Sequence, residues 1–334
     1  MKKFLTSILV GVLLFAGGCS NANDNATSNV AGNAEKEAEV ELNIAYQYGL
    51  AYAPLVVAME NNLIEKAYKE LTGKEITVTW HQMSSGADIN TGIASGSLNV
   101  GFMGVGPAVA GISKNIGYKI FTNLSGQEHS LMTNDETIKS LEDLVGSEKQ
   151  IALVNIGSIQ HIILAKALSD NGLDPHSLDS NIVVMKHPDG LTALESGSIA
   201  LHLTSSPYTF LEREEDNLYE LKEVNEAWTK NDSFIVGIAG IELYEKNPEA
   251  YQALCNGINE AIAYTNSNVE DTAKLTAEFD GNEVEKEVEY LKLGLYDSKT
   301  SNLFTLAKFM SDNGFIDNPI NSYEDLVFDN VEGN

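Results

Sequence analysis

The sequence predicts an α/β fold of two similar lobes, and three observations carry that reading. One pattern occurs twice: Ser95-Gly96-Ser97-Leu98 leads through Val100-Gly101-Phe102-Met103 to Gly104-Val105-Gly106-Pro107, and Ser196-Gly197-Ser198-Ile199 leads through Leu201-His202-Leu203 to Thr204-Ser205-Ser206-Pro207. Short β-branched runs alternate with helical periods in each copy, as in parallel βαβ units with right-handed crossovers. Loops bearing Gly and Ser follow the expected strands and open onto helix N-termini, the edge at which open parallel sheets hold small ligands.

The N-terminal residues come first. Lys2 and Lys3 form a basic n-region, residues 4–15 are apolar, and Ala16-Gly17-Gly18 is a small-residue cleavage site before Cys19. The apolar stretch is short for a transmembrane helix. The pattern resembles a bacterial lipoprotein signal over residues 1–18, in which Cys19 is lipidated and becomes the mature N-terminus; an ordinary secretory signal is the alternative. Residues 19–41 have no aromatic residue and little apolar bulk, so no core there offsets the entropy of ordering. They read as a disordered tether, holding the folded part of the chain about 25 Å from a bilayer.

From residue 42 the elements come in order. Ile44-Ala45-Tyr46 before Gly49 reads as the first strand and its turn, and Val78-Thr79-Trp80-His81 before Ser84-Ser85-Gly86 as the second. Their counterparts are Ile151-Ala152-Leu153 before Gly157 and the run from Val183 to His187 before Asp189-Gly190. Three β-α units lead to a fourth strand over 118–124, the second copy fills 129–230, and 233–239 reads as a further strand. Helical patterns then occupy 248–266, 282–293 and 302–313. This length suits two ordinary domains, and no later segment is long and apolar enough to span a membrane.

Charge narrows the partners. With 48 acidic against 21 basic residues the net charge is −27, which disfavours nucleic acid and anionic lipid while leaving room for an anionic ligand in a cleft with its own local field. Besides Cys19 the only cysteine is Cys255, within a helical pattern, so no intrachain disulfide is available to the mature fold and Cys255 reads as a small buried residue.

The candidate site is a set of loops. Gly157-Ser158 precedes a helical period beginning near Ile162, placing free N–H groups and a hydroxyl at a helix N-terminus, which attracts an anionic or strongly accepting group. Ser84-Ser85-Gly86, Gly104-Val105-Gly106 and Thr204-Ser205-Ser206 supply further donors of this kind; each serine loop also reads as plain N-capping. No arginine lies in any of them, so amides and hydroxyls rather than a guanidinium fork would hold a sulfonate, nitrate or carboxylate. Tyr46, Tyr48 and Tyr52 follow the first strand, either to wall a ring-shaped ligand or to pack on neighbours. Gln127, Glu128 and His129 read as hinge residues or ligand contacts. Asp189 reads as an amine acceptor or a helix cap.

These motifs together resemble a known family. Ile44-Ala45-Tyr46-Gln47 with Pro54 and Ala58, Gly96-Ser97-Leu98, Gly104-Val105-Gly106-Pro107, residues 141–146 before Ile151-Ala152, Gly157-Ser158-Ile159-Gln160-His161, Asn171-Gly172-Leu173 and Ser206-Pro207-Tyr208 are similar in order and spacing to substrate-binding proteins of ABC importers. The group is the nitrate, sulfonate and taurine family, which extends to carriers of thiamine-precursor pyrimidines. The resemblance implies a type II periplasmic-binding-protein fold with a double-crossover hinge near 125–129 and 229–234. One lobe would take 42–126 plus 233–327 and the other 127–232. It further implies a monomeric receptor on the extracytoplasmic face of the cell membrane, anchored by lipid on Cys19. That receptor would perform no covalent chemistry, need no cofactor, and hand a small solute to an ABC permease with a separate ATPase. Gln47, Ile159 and Gln160 join the expected ligand contacts on this basis.

Other classes fit less well. His81, His129, His161, His176, His187 and His202 are scattered without metal-ligand spacing. No Gly-x-Ser-x-Gly occurs for a hydrolase. A pyrimidine synthase of the same fold needs a cysteine-rich signature, and a purely structural surface lipoprotein leaves the duplicated loops unexplained.

Overall fold

The structure, a computed structural model, describes residues 40–280 and 283–334. The expected signal segment, Cys19 and nearly all of the expected tether lie outside the described residues.

The first repeat runs β1 (Glu41–Tyr46), α1 (Ala53–Glu60), α2 (Leu63–Thr72), β2 (Thr77–Gln82), α3 (Gly86–Ser95), β3 (Val100–Gly104), α4 (Val105–Ser113) and β4 (Tyr118–Ser125). The second runs β5 (His129–Thr133), β6 (Ile151–Leu153), α5 (Ile159–Asp170), β7 (Ile182–Val184), α6 (His187–Glu195), β8 (Leu201–Ser205), α7 (Tyr208–Arg213), β9 (Tyr219–Leu221) and α8 (Glu223–Ala227). Then come β10 (Ile235–Gly240), α9 (Ile241–Lys246), α10 (Pro248–Ser267), α11 (Val269–Asp280), α12 (Val284–Leu293) and α13 (Leu303–Asp312).

Local chemistry explains most of these bounds. In α1, Pro54 sits in the first turn, where a missing N–H costs nothing, and the run Leu55-Val56-Val57 is buried. α2 presents Leu63, Ile64, Ala67 and Tyr68 on one face and ends at Gly73 in the left-handed region. α3 starts at the Ser85 cap and ends at Gly96, likewise left-handed.

Two five-stranded sheets result, ordered β2-β1-β3-β10-β4 and β7-β6-β8-β5-β9. The parallel units expected from periodicity are present, since β1 pairs parallel with β2 and β3, and β6 with β7 and β8. The all-parallel expectation is corrected at one strand of each sheet. β10 runs antiparallel between β3 and β4, and β5 antiparallel between β8 and β9. Both are the first strand after the chain passes between sheets, and each enters its sheet at the edge where the parallel strands end, His129 opposite Ser205 and Ile235 opposite Gly104, which reverses its direction. All five residues of β5 are buried, and β10 is buried from Ile235 to Ala239, so burial alone gives no sign of that direction.

The C-terminal helices return to the first sheet. α10 packs on α2 and α1, α13 packs on α4, and α9 packs on β10. α12 also reaches the second repeat, through stacking of Tyr290 on Phe210 at 5.1 Å and a Lys286–Glu214 ion pair at 2.6 Å. Beyond α13, Phe315 meets the rings of His161 and His176, and the carbonyl of Asn313 lies 2.8 Å from His176 Nε2. Among the described residues no helix is long and apolar enough to cross a membrane.

Candidate functional site

The loops leaving β1 and β3 meet those leaving β6 and β8. The contacts between them are close. A Cβ on Gly104 would lie 2.8 Å from Ile159 Cγ2, and one on Gly106 would lie 3.3 Å from the Ile159 backbone nitrogen, so these two glycines let the N-terminal ends of α4 and α5 meet. Gly49, after β1, stands in the same relation to the Ser206 carbonyl at 3.4 Å.

Several candidate donors have partners within the chain. Ser85 Oγ accepts from the Asp88 N–H at 3.2 Å and donates to Asp88 Oδ2 at 2.8 Å, a cap on α3. Ser158 Oγ accepts from the His161 N–H at 3.3 Å, and the Gly157 N–H donates to His161 Nδ1 at 3.0 Å. The Val105 N–H donates to the Phe234 carbonyl at 2.9 Å. The N–H groups of Ile159 and Gln160 lie in the first turn of α5, which offers them no intrahelical acceptor.

The β1 loop divides its residues between scaffold and surface. Tyr52 is buried and donates to Gln47 Oε1 at 3.1 Å, while Gln47 Nε2 reaches the Ser84 carbonyl at 3.5 Å. Tyr52 therefore steadies Gln47, with its hydroxyl pKa raised by burial. Tyr48 is 65% exposed. Ser84 and Asp189 are exposed, and Gly86, Gly104, Val105, Gly106, Ser158, Ile159, Gln160, Thr204 and Ser205 are buried or nearly so. Asp189 occupies the first turn of α6, beside His187.

Behind β8 lies a polar cluster. His202 and Glu212 are wholly buried and joined through Nδ1 and Oε1; His202 Nε2 stands 3.2 Å from His187 Nδ1, to which Thr204 Oγ1 approaches at 2.9 Å. Burial lowers both His202 and His129 to about 3, and burial followed by the Glu195 charge raises Glu212 to about 8. His129, at the head of β5, packs edge-on against Phe234 at 4.6 Å. Histidines scattered in sequence thus gather in space. Their neighbours come from β5, α6 and β8, so no local motif announces them, and among the described residues no group of three or more His, Cys, Asp or Glu could hold a metal ion.

The crossover is also polar inside. Gln127, His129, Ser125 and Ser206 are buried with side-chain atoms that have no hydrogen-bond partner among the described residues. Glu128 instead pairs with Arg213, the only arginine in the chain, which also grips Glu220. Cys255 is buried, and burial pushes its thiol up to about 12. Two cavities, of about 220 Å3 beside Cys255 and Asn330 and about 300 Å3 beside Asn115 and Asn318, lie away from these loops.

Known proteins share this outline. The profile of the NMT1-like family matches residues 35–279. The taurine-binding periplasmic protein of Escherichia coli strain K12 is 26% identical over 223 residues, a match covering 66% of this chain and 65% of that protein, which is short of two thirds of its length. The alkanesulfonate-binding protein SsuA of Xanthomonas axonopodis pv. citri, solved with MOPS bound, superposes with a TM-score of 0.71 at 16% identity, over 87% of this chain and 99% of that one. The periplasmic aliphatic sulphonate binding protein SsuA of Escherichia coli gives a TM-score of 0.68 at 19% identity, over 87% and 93%. These structural likenesses establish a shared fold of two α/β lobes.

Proposed function

The chain belongs to the NMT1-like family, and from that premise we propose that it is an extracytoplasmic solute-binding lipoprotein of an ABC import system. It captures a small sulfonate- or taurine-like solute between its lobes and passes it to a permease served by a separate ATPase, without covalent chemistry. Lipid on Cys19 and the adjoining tether hold the monomer at the membrane.

The observation that carries this reading is the meeting of the α4 and α5 N-terminal ends, from opposite sheets, through Gly104, Gly106 and Ile159. Backbone donors and two helix dipoles face each other there, which suits a compact acceptor such as a sulfonate. The sulfonate- and taurine-binding relatives support the same class. Arg213 is committed to Glu128 and Glu220, so amides and hydroxyls do the holding. Gln47, Ser84, Ser158, Ile159, Gln160 and Ser205 are the proposed contacts, with Tyr48 at the mouth and Asp189 placed to receive an amine.

A thermal-shift screen tests the proposal. The solutes are taurine, alkanesulfonates, nitrate, hydroxymethylpyrimidine and divalent metals. A ligand that binds only the native state adds about 2.7 kcal/mol at a hundred times its Kd. A rise in Tm with taurine or a sulfonate is the expected result. A rise with the pyrimidine alone assigns the cleft to heterocycles, and a response to metals alone overturns the receptor reading.

A further inference from the structure

We propose that Glu212 is a positioning residue that acts through His202 to keep His187 neutral with its proton on Nε2, making His187 a hydrogen-bond donor at the cleft edge of α6. The donor's role toward a solute rests on the receptor reading above; the tautomer itself does not.

The geometry leaves two polarities for the chain of groups. His202 Nε2 and His187 Nδ1 face each other at 3.2 Å, so one hydrogen lies between them. If Glu212 were ionised, His202 would donate from Nδ1 and accept at Nε2, and His187 would carry its proton on Nδ1, inward. If Glu212 is a neutral acid, its proton belongs on Oε1, the oxygen facing His202, because on the partnerless Oε2 it would be a buried donor without an acceptor, and Oε1–H donates to His202 Nδ1. The His202 proton then sits on Nε2 and donates to His187 Nδ1, and His187 is left with Nε2–H, outward.

The surroundings select the second polarity. Glu212 is 0% exposed and its Oε2 has no partner among the described residues, so a charge there would be buried with one oxygen bare. Glu195 on α6 adds like charge. Arg213, the next residue, is turned to Glu128 and Glu220. His129 on β5 is buried and neutral, so it supplies no cation. Burial likewise lowers the pKa of His187 and His202.

Packing holds the relay in place. A Cβ on Gly190 would fall 2.5 Å from His202 Nε2, so only glycine lets the α6 backbone lie over that ring. Thr204 Oγ1 lies 2.9 Å from His187 Nδ1 and 3.3 Å from the Ser205 carbonyl; with Nδ1 bare, the threonine hydroxyl donates to it beside the His202 hydrogen, so both contacts fit the second polarity. The His187 ring lies 5.5 Å from that of Tyr208 and is partly exposed at the start of α6.

The test is a long-range proton–nitrogen correlation spectrum of the protein labelled with 15N-histidine, which separates bare from protonated ring nitrogens. Without ligand at neutral pH, His187 should show a bare Nδ1 and a protonated Nε2. Glu212→Gln can turn its amide NH2 to His202 Nδ1 in Oε1's place and should preserve that pattern, whereas Glu212→Leu should lose it. A protonated His187 Nδ1 in the wild type, or identical patterns in the two variants, overturns the proposal. Taurine is then added. A rise in Tm with movement of the His187 Nε2 resonance supports the donor role. A rise without movement overturns that role and leaves the receptor reading standing. No rise counts against taurine as the solute, and the ligand-free spectra alone then decide the tautomer.

Discussion

Ser158 has one hydroxyl and two demands on it. Its oxygen accepts from the His161 N–H at 3.3 Å, capping α5, yet the same hydroxyl stands where the α4 and α5 ends meet and keeps a hydrogen to give. The two roles predict different losses. Ser158→Ala removes a cap worth about 1 kcal/mol, about 2 °C in Tm for a chain of this size. If the hydrogen also serves a sulfonate, a charge-assisted bond of about 1.5–3 kcal/mol goes with it, and Kd for the solute found by thermal shift rises at least about tenfold. Titration calorimetry on the variant decides: a lower Tm with unchanged Kd makes Ser158 a cap and nothing more.

At the scale of elements, α11 was hidden from sequence reading and α10 was not, for a reason visible in their buried faces. α10 buries Tyr251, Leu254, Ile258 and Ile262, an apolar period that is plain in the sequence, whereas α11 buries Thr272, Ala273, Thr276 and Ala277, a period carried by small and hydroxylic residues. Most strands were legible through their apolar runs, but β5 and β9, with His129-Ser130 and Tyr219-Glu220-Leu221, did not stand out, and the direction of β10 was hidden because it depends on which sheet the chain has just left. The candidate loops were legible through Gly104, Gly106 and Ser158. Glu212, His202 and His187 were not legible as a group, since α7, β8 and α6 each supply one member.

The α11 threonines make a paired prediction. Thr276 Oγ1 lies 2.8 Å from Glu287 Oε2 on α12, and both residues are buried, whereas the equally buried Thr272 hydroxyl has no partner among the described residues. Thr276→Val should cost about 1–3 kcal/mol, and Thr272→Val should be neutral or stabilising, because it removes an unsatisfied polar group. Urea unfolding of the two variants checks this, and equal losses would refute it.

At the scale of the whole molecule, the chain passes between sheets twice, and Gly104 and Ile159 pack against each other where the two sets of loops meet. A methyl group on Gly104 would overlap Ile159, at 2.8 Å from Cγ2 and 3.1 Å from Cβ. Because Gly104 ends a strand of one sheet and Ile159 begins a helix on the other, relief comes most readily by parting the lobes. Hinge closure is our proposal for how solute is trapped, and a ligand that prefers closed lobes must then also do the work of closing them. Gly104→Ala should enlarge the radius of gyration of the ligand-free protein in small-angle scattering and weaken solute binding, while adding Ile159→Ala should reverse both. That reversal is a coupling between two sites in contact, so the double variant departs from the sum of the singles. If Gly104→Ala leaves the dimensions and the affinity as they were, the lobes do not close through this contact. If the dimensions grow but Ile159→Ala fails to restore them, the strain is relieved somewhere other than the α5 end.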